Sequence, residues 1–259
     1  MVSTRSRLFV SFSIALASIF PLPSLTLQGD EVRKIEITDA PWSAAVTSAS
    51  IVCGGSILSD SFVLTSARCV FEKPLSGITV HYGSKEISSV GIYESVKAVH
   101  FIRFKPSTLE NNIALLETSG KLQLDGQKSK AIPLTSLMFD PAAGSKILVS
   151  GWGAPGRGPY TNYSDVLLAA NFTVIGREDC REQFKKYGYG DIITDEVFCA
   201  GGAAGKLRID YSDDGDPAEF GGKLVGAASY FPLPQLPNVF TRIGAYVESI
   251  KEIIGQPST

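Results

Sequence analysis

Short runs of β-branched and aromatic residues, separated by Gly, Pro, Asn and Asp, recur through most of this 259-residue chain. Runs of this kind, bounded by turn-forming residues, are typical of β-strands. Their spacing predicts an all-β protein whose sheets close into a barrel or a sandwich. The runs are Ile51–Leu58, Phe62–Thr65, Ile78–Tyr82, Lys146–Ser150, Leu167–Ile175, Leu224–Tyr230 and Asn238–Ile243.

One segment near the C-terminus has helical rather than strand periodicity. Val247, Ile250 and Ile254 lie three and four residues apart within Gly244–Gly255, which places them on one face of a helix. The sequence therefore predicts a terminal amphipathic helix. Hydrophobic residues make up 44% of the chain and charged residues 19%, which indicates a packed globular protein.

The N-terminus has the layout of a secretory signal peptide. Arg5 and Arg7 precede the apolar run Leu8–Phe20, and small residues and prolines follow up to about Ser24. The apolar run is shorter than a transmembrane helix requires. We therefore expect the signal peptide to be removed and the remaining chain to be secreted as an extracellular protein, in a compartment that permits disulfides.

The charge balance of the chain excludes some classes of partner. Lys and Arg number 24, Asp and Glu number 26, and the formal net charge is -2. Nucleic acids and anionic membranes are usually bound through a basic surface, so we expect neither as a partner. The expectation that remains is a monomer that recognises another protein by shape.

Three motifs resemble those that surround the catalytic residues of the trypsin and chymotrypsin family of serine proteases. The stretch Cys53–Cys69 contains Cys-Gly-Gly-Ser-Ile and Thr-Ser-Ala-Arg-Cys, similar to the family's Cys-Gly-Gly-Ser-Ile/Leu and Thr/Ser-Ala-Ala-His-Cys. Asn111–Leu116 is similar to Asn-Asp-Ile-Ala-Leu-Leu, and Ser212–Pro217 to Gly-Asp-Ser-Gly-Gly-Pro. The resemblance runs from Ile35 to about Ile254 and implies a chymotrypsin-like double six-stranded β-barrel with a C-terminal helix.

All three triad positions of that family are replaced in this chain. Arg68 stands at the position of the histidine base, Asn112 at that of the aspartate and Asp214 at that of the serine. A guanidinium stays protonated and cannot accept a proton. Attack of a carboxylate on an amide would give an anhydride, with no acid to release the amine. The resemblance therefore implies a pseudoprotease rather than an enzyme, in which Arg68 and Asp214 form an ion pair across the cleft.

His81 and His100 are the only histidines in the chain and hence the only candidates for a replacement base. His81 lies in an alternating strand pattern, and His100 lies in a stretch that resembles a surface segment of the family. Both are predicted to be solvated or half-buried structural residues. A general base must reach the nucleophile directly or through one water, and neither histidine is expected to do so.

The substrate-recognition positions implied by the resemblance have changed as well. In the family, two backbone N–H groups form the oxyanion hole. Ser212 stands at the position of one of them, where the family has Gly, and Asp214 stands at the other. Arg208 lies six residues before Asp214, where trypsin-like enzymes use an Asp to select Lys or Arg. The three residues at the family's Ser-Trp-Gly include a Phe in place of the Gly that leaves room for a substrate side chain, so the specificity pocket is predicted to be occluded. These residues are Ser229, Tyr230 and Phe231.

Four cysteines allow three disulfide connectivities from the residues alone. The resemblance implies Cys53 with Cys69 and Cys180 with Cys199. The family's bridge beside the nucleophile is missing, because Asp210 occupies one of its Cys positions. The loops around the former pocket are therefore expected to be looser than in the family.

The segment around Lys34 and Ile35 resembles a zymogen activation site, with a basic residue before Ile. Cleavage after Lys34 would free the Ile35 amine, for which the resemblance implies Asp213 as the partner. The β-branched residues that replace the family's Gly after Ile restrict an inward turn of that terminus. The chain is thus divided into a signal peptide (1–24), a propeptide-like segment (25–34) and a trypsin-like domain (35–259).

The acidic stretch Asp210–Asp216 matches the opening half of a calcium-binding loop. The twelfth place of such a loop requires Glu and is Gly221 here, and the β-rich sequence offers no flanking helices. We therefore predict no metal and no other cofactor. Asn162 and Asn171 each begin an Asn-X-Ser/Thr acceptor, so either is a candidate for glycosylation in a secreted protein.

The Cys53–Thr65 stretch looks like that of mite gut trypsins of the house-dust-mite allergen type. Loss of all three triad residues is similar to the inactivated protease paralogues of the scabies mite. This resemblance implies a secreted binding protein that interferes with host complement or with other host defence proteins. Two alternatives stay open, namely an enzyme of altered mechanism built on the acidic cluster and a decoy that occupies protease inhibitors.

Overall fold

The computed structural model describes residues 31–48, 51–88, 91–153, 163–201, 208–229, 233 and 235–255. The predicted signal peptide, the sequon Asn162 and the pocket residues Tyr230 and Phe231 lie outside these residues. Within the described ranges the chain forms thirteen β-strands and three α-helices. The strands are β1 (Arg33–Lys34), β2 (Ser43–Ser48), β3 (Ile51–Ile57), β4 (Phe62–Thr65), β5 (Ile78–Tyr82), β6 (Ile92–Phe101), β7 (Ala114–Thr118), β8 (Lys146–Gly151), β9 (Leu168–Ile175), β10 (Val197–Ala200), β11 (Pro217–Phe220), β12 (Lys223–Ser229) and β13 (Asn238–Arg242); the helices are α1 (Ala67–Val70), α2 (Arg177–Lys185) and α3 (Val247–Ile254).

Two closed antiparallel barrels contain all of these strands except β1. The first barrel closes in the order β2-β3-β4-β7-β6-β5. The second barrel has the order β8-β9-β10-β13-β12-β11 and closes because β11 pairs with β8. Closure removes the unpaired strand edges that would otherwise be exposed. The predicted chymotrypsin-like double six-stranded barrel is confirmed.

Strand alternation divides the apolar side chains between the barrel interiors and the face between the barrels. In β4, Val63 packs inside the first barrel, whereas Leu64 joins a cluster that links the two barrels. Successive side chains of a strand point to opposite faces, which explains this division. The linking cluster also contains Leu224 of β12 and Ile250 of α3. The terminal helix predicted from residue spacing therefore packs against the residues that join the two barrels.

Two disulfides tie short helices to strands. Cys53 of β3 is bonded to Cys69 of α1, and Cys180 of α2 to Cys199 of β10. These are the pairings that the resemblance implies. Because α1 has only four residues, it is too short to form by itself, and its bridge to β3 fixes its position. A loop of this size closed by a disulfide contributes about 3 kcal/mol.

His81 departs from the expectation of a solvated or half-buried residue, because it is fully buried. It lies in β5 between β2 and β6, with its ring 4.6 Å from the ring of Tyr93 and 6.5 Å from that of Trp152. Neither ring nitrogen has a hydrogen-bond partner among the described residues. Burial lowers the pKa of His81 because the charged form loses its hydration. The alternating pattern could not reveal that Trp152 covers the outer side of this strand.

Candidate functional site

The fold brings the three triad positions together between the barrels. Arg68 lies in α1, which follows β4 and is held beside β3 by its disulfide. Asn112 precedes β7, and Asp214 follows a single 3₁₀ turn, Tyr211–Asp213. The carboxylate of Asp210 caps this turn by accepting the Tyr211 N–H at 2.6 Å. Each position is therefore fixed by local structure that the motifs encode.

Arg68 and Asp214 form the ion pair that their opposite charges predict. Arg68 Nε donates to Asp214 Oδ2 at 2.8 Å, and a terminal guanidinium nitrogen donates to the same oxygen. The Tyr211 ring lies beside the guanidinium, with its centroid 5.3 Å from Arg68 Cζ. The Asp214 side chain is 1% exposed and that of Arg68 is 19% exposed. Asp214 therefore depends on Arg68 for compensation of its charge more than Arg68 depends on Asp214.

Asn112 connects the ion pair to the second barrel. Its Oδ1 accepts the backbone N–H of Arg68 at 2.9 Å, and its Nδ2 donates to Ser229 Oγ at 3.1 Å. Its backbone carbonyl accepts the Thr241 hydroxyl at 3.1 Å. The neutral amide thus positions α1 without adding a charge beside Arg68. A carboxylate here could accept from Arg68 but could not donate to Ser229.

The turn that precedes Asp214 engages an N–H of the former oxyanion hole. The Asp214 N–H donates to the Tyr211 carbonyl at 3.4 Å. Ser212, the replacement for a family Gly, lies half-buried within the same turn. Oxyanion stabilisation requires N–H groups that point at the substrate oxygen. The N–H of Asp214 points back into its own turn instead.

A second carboxyl pair, Asp213 with Asp216, was missed by the sequence analysis. The two carboxyl groups contact each other and line the same small cavity. Burial raises the pKa of Asp213 to about 7, with the nearby charges of Asp210 and Asp214 adding to the effect. Burial, reinforced by Asp213 and Asp214, raises the pKa of Asp216 well above its usual range. The sequence contained one signal of this pair, because Asp216 stands at a position where the family motif has Gly.

Two cavities lie on either side of this region. The larger, of about 320 Å³, is bordered by Asn112 and Ser229, with Arg103 and Glu196 on its wall. Tyr246 also lines this cavity, and its hydroxyl donates a hydrogen bond to Asn111 Oδ1 at 2.8 Å. This cavity is bordered by Asn112, which contacts Arg68, and by Ser229, to which Asn112 donates.

The smaller cavity, of about 50 Å³, is lined by Asp213, Asp216 and Arg208. Among the described residues, Arg208 and Ser229 line different cavities. Tyr230 and Phe231 lie outside the described residues. Occlusion of the pocket by these aromatic residues stays a prediction.

His100 has a surface environment in β6. Its Nε2 lies 3.2 Å from Glu117 Oε2, and its ring packs near that of Phe62. His81 is enclosed between strands of the first barrel, as described above. Both histidines therefore have structural surroundings, and neither borders the two cavities.

The predicted cleavage site after Lys34 lies in a paired strand. β1 pairs with β9, and the Ile35 N–H donates to the Leu167 carbonyl at 3.1 Å. Proteolysis favours exposed loop tips, so cleavage here requires β1 to separate from β9. Asp213, the partner implied for the Ile35 amine, accepts the backbone N–H of Asp210 at 2.5 Å and contacts Asp216. One of its oxygens is therefore already engaged by the Asp210 N–H in the uncleaved chain.

Asn171 is the glycosylation candidate that lies within the described residues. Asn171 lies half-buried in β9 opposite Leu148 of β8, and its glycosylation stays a prediction. Across the described ranges, no group of three or more His, Cys, Asp or Glu side chains is arranged to hold a metal ion. None of the helices in those ranges is long and apolar enough to cross a membrane.

Comparison with known proteins identifies the family. The trypsin family model matches residues 28–250. The chain belongs to the trypsin family. It is 33% identical over 221 residues to Trypsin Blo t 3 of Blomia tropicalis, covering 82% of this chain and 81% of that protein. It is 28% identical over 252 residues to a trypsin of Phaedon cochleariae, covering 94% of each.

Two solved structures of the trypsin family carry the comparison further. Scabies mite inactivated protease paralogue S-D1 is 42% identical, with a TM-score of 0.82 over 86% of this chain and 96% of that chain. Paralogue S-I1 is 38% identical, with a TM-score of 0.77 over 86% of this chain and 98% of that chain. The resemblance to mite trypsins and to inactivated mite paralogues is confirmed.

Proposed function

We propose that this trypsin homologue is catalytically inactive and acts outside the cell by binding another protein. The observation that carries the proposal is the ion pair between Arg68 and Asp214. A guanidinium cannot accept a proton, and the carboxylate at the nucleophile position is buried and committed to that guanidinium. The printed names of the two solved relatives, both inactivated protease paralogues, support this proposal.

Peptidase assays test the inactive state. Chains that begin after residue 24 and at Ile35 are incubated with peptide substrates and with serine-directed phosphonates. We expect neither turnover nor labelling, because loss of a triad costs about a millionfold in turnover. Turnover that persists after removal of trace contaminants and disappears on Asp214→Ala would overturn the proposal. Turnover lost only on Asp213→Asn or Asp216→Asn would support an enzyme built on the acidic cluster.

Reversion of the triad provides a second, independent test. We expect the variant with Arg68→His, Asn112→Asp and Asp214→Ser to remain inactive. The buried carboxyl of Asp216 still packs against the loop, and Ser212 still replaces the Gly of the oxyanion hole. Efficient cleavage after Lys or Arg by this variant would show that the three triad positions alone had inactivated the protein.

The binding role is assigned to the face around the ion pair. Tyr211 is 40% exposed there and contacts Arg68, and the larger cavity with Arg103 and Glu196 on its wall lies beside Asn112. Aromatic and Arg side chains around a concave feature are typical of the centre of protein interfaces. An ion pair in place of the catalytic groups lets this face hold a partner without cleaving it.

The resemblance to inactivated mite paralogues favours a host complement component, or another host defence protein, as the partner. We would measure binding of purified complement components and of protease inhibitors to the immobilised chain. Tyr211→Ala and Glu196→Arg are expected to weaken binding of the partner about tenfold or more, as central interface residues do. Gln127→Arg, in a surface turn that lines neither cavity, is the control and is expected to have no effect.

The outcomes of this experiment separate the competing functions. Binding of a complement component that depends on Tyr211 and Glu196 supports the proposal. Binding of protease inhibitors alone would support the decoy instead. Binding that neither substitution weakens would move the interface away from this face, and no binding to any of these proteins would overturn the assigned partner class.

A further inference from the structure

The carboxyl group of Asp216 lies in a site with almost no room around it. Its side chain is 2% exposed and packs between two glycines, Gly54 of β3 and Gly151 of β8. A Cβ atom at these glycines would lie 1.8 and 1.9 Å from the Asp216 oxygens. Asp216 Oδ1 has no hydrogen-bond partner among the described residues. An ionised carboxylate that lacks hydration and full hydrogen bonding is very costly in such a place.

Across the part of the chain that the structure describes, no cation forms an ion pair with Asp213 or Asp216. Glycines face the pair from β3 and β8, and Asp210 and Asp214 face it from its own loop. Arg208 also lines this small cavity, but its buried Nη1 has no hydrogen-bond partner among the described residues, so it does not reach either carboxyl. The guanidinium of Arg68 forms its ion pair with Asp214.

We propose that Asp213 and Asp216 share a proton at neutral pH, and that this proton is a latch that holds loop 210–217 against β3 and β8. Two carboxyl groups in contact cannot both ionise without strong repulsion. When one keeps its proton, its O–H donates to the other, so repulsion is replaced by a hydrogen bond. The same loop carries Asp214, so the latch also holds Asp214 in place for Arg68.

The latch gives the loop a pH dependence of known sign. Burial raises the pKa of Asp213 to about 7 and that of Asp216 well above its usual range, whereas an Asp in an unfolded chain has a pKa of about 3.9. Between about pH 4 and pH 7 the folded state therefore binds more protons than the unfolded state. Stability from this pair is full below about pH 4 and falls as pH rises through that window.

Asp216→Asn tests the latch, because the amide still donates a hydrogen bond to Asp213 but does not titrate. The infrared carbonyl band of a protonated carboxylic acid is measured at pH 7, and Tm is measured from about pH 4 to about pH 8. We expect the band in the wild type, a weaker band in Asp216→Asn, and a shallower decline of Tm with pH in that variant. Asp191→Asn, at an exposed aspartate, is the matched control and should keep both wild-type properties.

Hydrogen exchange at the amides of Asp214 and Gly215 tests whether the proton acts on the loop. After correction for the intrinsic pH dependence of exchange, their protection should fall in the wild type as pH rises and should stay constant in Asp216→Asn. A wild type without the carboxylic-acid band at pH 7 would overturn the proposal. So would equal Tm profiles of wild type and variant. If Asp216→Asn does not fold, the wild-type infrared band and exchange profile decide by themselves.

Discussion

Asp214 and Asp216 are two residues apart and equally buried, yet their surroundings are opposite in charge. Asp214 contacts the guanidinium of Arg68, which comes from the first barrel. Asp216 contacts a second carboxyl group, that of Asp213, and packs on glycines. Between them Gly215 has a φ of 89°, a backbone conformation that glycine adopts readily and other residues rarely do. This turn sends the two side chains to different environments.

The comparison shows that the charge of the neighbour, rather than the depth of burial, decides how a buried acid is accommodated. Arg68 and Asp214 replace two triad residues and compensate each other across the barrels. Asp216 stands at a glycine position of the family motif, and no described cation forms an ion pair with it. In our proposal a proton takes that role. Loop 210–217 thus carries one acid of a matched pair and both acids of an unmatched pair.

The largest effect is expected from Gly151→Ala, which removes the space that the Asp216 side chain occupies. The three atoms nearest to the new Cβ, at 1.9 to 2.2 Å, all belong to the Asp216 carboxyl group. Overpacking of this severity should lower the free energy of unfolding by about 3 kcal/mol or more. Denaturant unfolding of the variant measures this loss.

A second substitution makes that prediction specific. Because only the Asp216 side chain causes the nearest clashes, Asp216→Gly should restore most of the stability lost in Gly151→Ala. Gly77→Ala is the control, since its Cβ would lie 3.6 Å from Pro74 and should fit. Equal destabilisation by Gly151→Ala with and without Asp216 would contradict the described packing of the acid pair.

Arg68→Met breaks the matched pair and should be the next largest effect. It strands a buried carboxylate, so we expect a loss of about 3 kcal/mol in the free energy of unfolding. Asp214→Asn should cost less, because the partly exposed Arg68 side chain can turn to water. A double-mutant cycle of the two substitutions gives their coupling energy in denaturant unfolding.

The control for this cycle is an exposed ion pair of the first barrel. Lys121 and Asp60 lie 2.7 Å apart with both side chains largely exposed. Their coupling should be about 0–1 kcal/mol, the range of surface pairs. A coupling between Arg68 and Asp214 no larger than this would show that the cleft screens its charges as water does.

A buried base in the first barrel sharpens the comparison, because His81 has the opposite pH dependence. Its pKa is lowered by burial, so the folded state binds fewer protons than the unfolded state below about pH 6.5. Stability should fall as pH decreases below that value, by at most about 1.4 kcal/mol per pH unit. His81→Phe should abolish this loss in thermal unfolding between about pH 4 and pH 7.

His100→Phe is the control for that experiment, because His100 lies at the surface beside Glu117. This variant should keep the loss of Tm at low pH that His81→Phe abolishes. Between about pH 4 and pH 6.5 the effects of His81 and of the acid pair oppose each other. His81→Phe and Asp216→Asn should therefore change the pH slope of Tm in opposite directions, and shifts of the same sign would contradict this assignment.

The smallest effect is expected from Tyr211→Leu, which removes the ring beside the Arg68 guanidinium. A cation–π contact at a partly exposed site contributes about 0.5–1 kcal/mol, and the free energy of unfolding should fall by that amount. In the Asp214→Asn background the loss should be smaller, since Arg68 is no longer held in place. An equal loss in both backgrounds would show that Tyr211 stabilises its turn rather than the cation.

Local patterns predicted those elements in which β-branched, aromatic or other apolar residues recur with the period of a strand or a helix. Phe62–Thr65 and Ile78–Tyr82 have the predicted bounds, and the terminal helix lies within the predicted segment. β2, with the sequence Ser-Ala-Ala-Val-Thr-Ser, was missed because its small residues become strand-like only between β3 and β5. α2 is mostly charged, and it is anchored by two buried residues, Cys180 and Phe184.

The sequence by itself determined the trypsin frame, the three triad positions and the opposite charges that meet in the cleft. These follow from motifs in which neighbouring residues carry the information. The tertiary structure decided the fate of His81 and Asp216, because their burial depends on residues far away in the chain, such as Trp152 and Gly54. Loss of hydration is a property of the assembled surroundings, so no local pattern could have predicted which acid would keep a charge and which would need a proton.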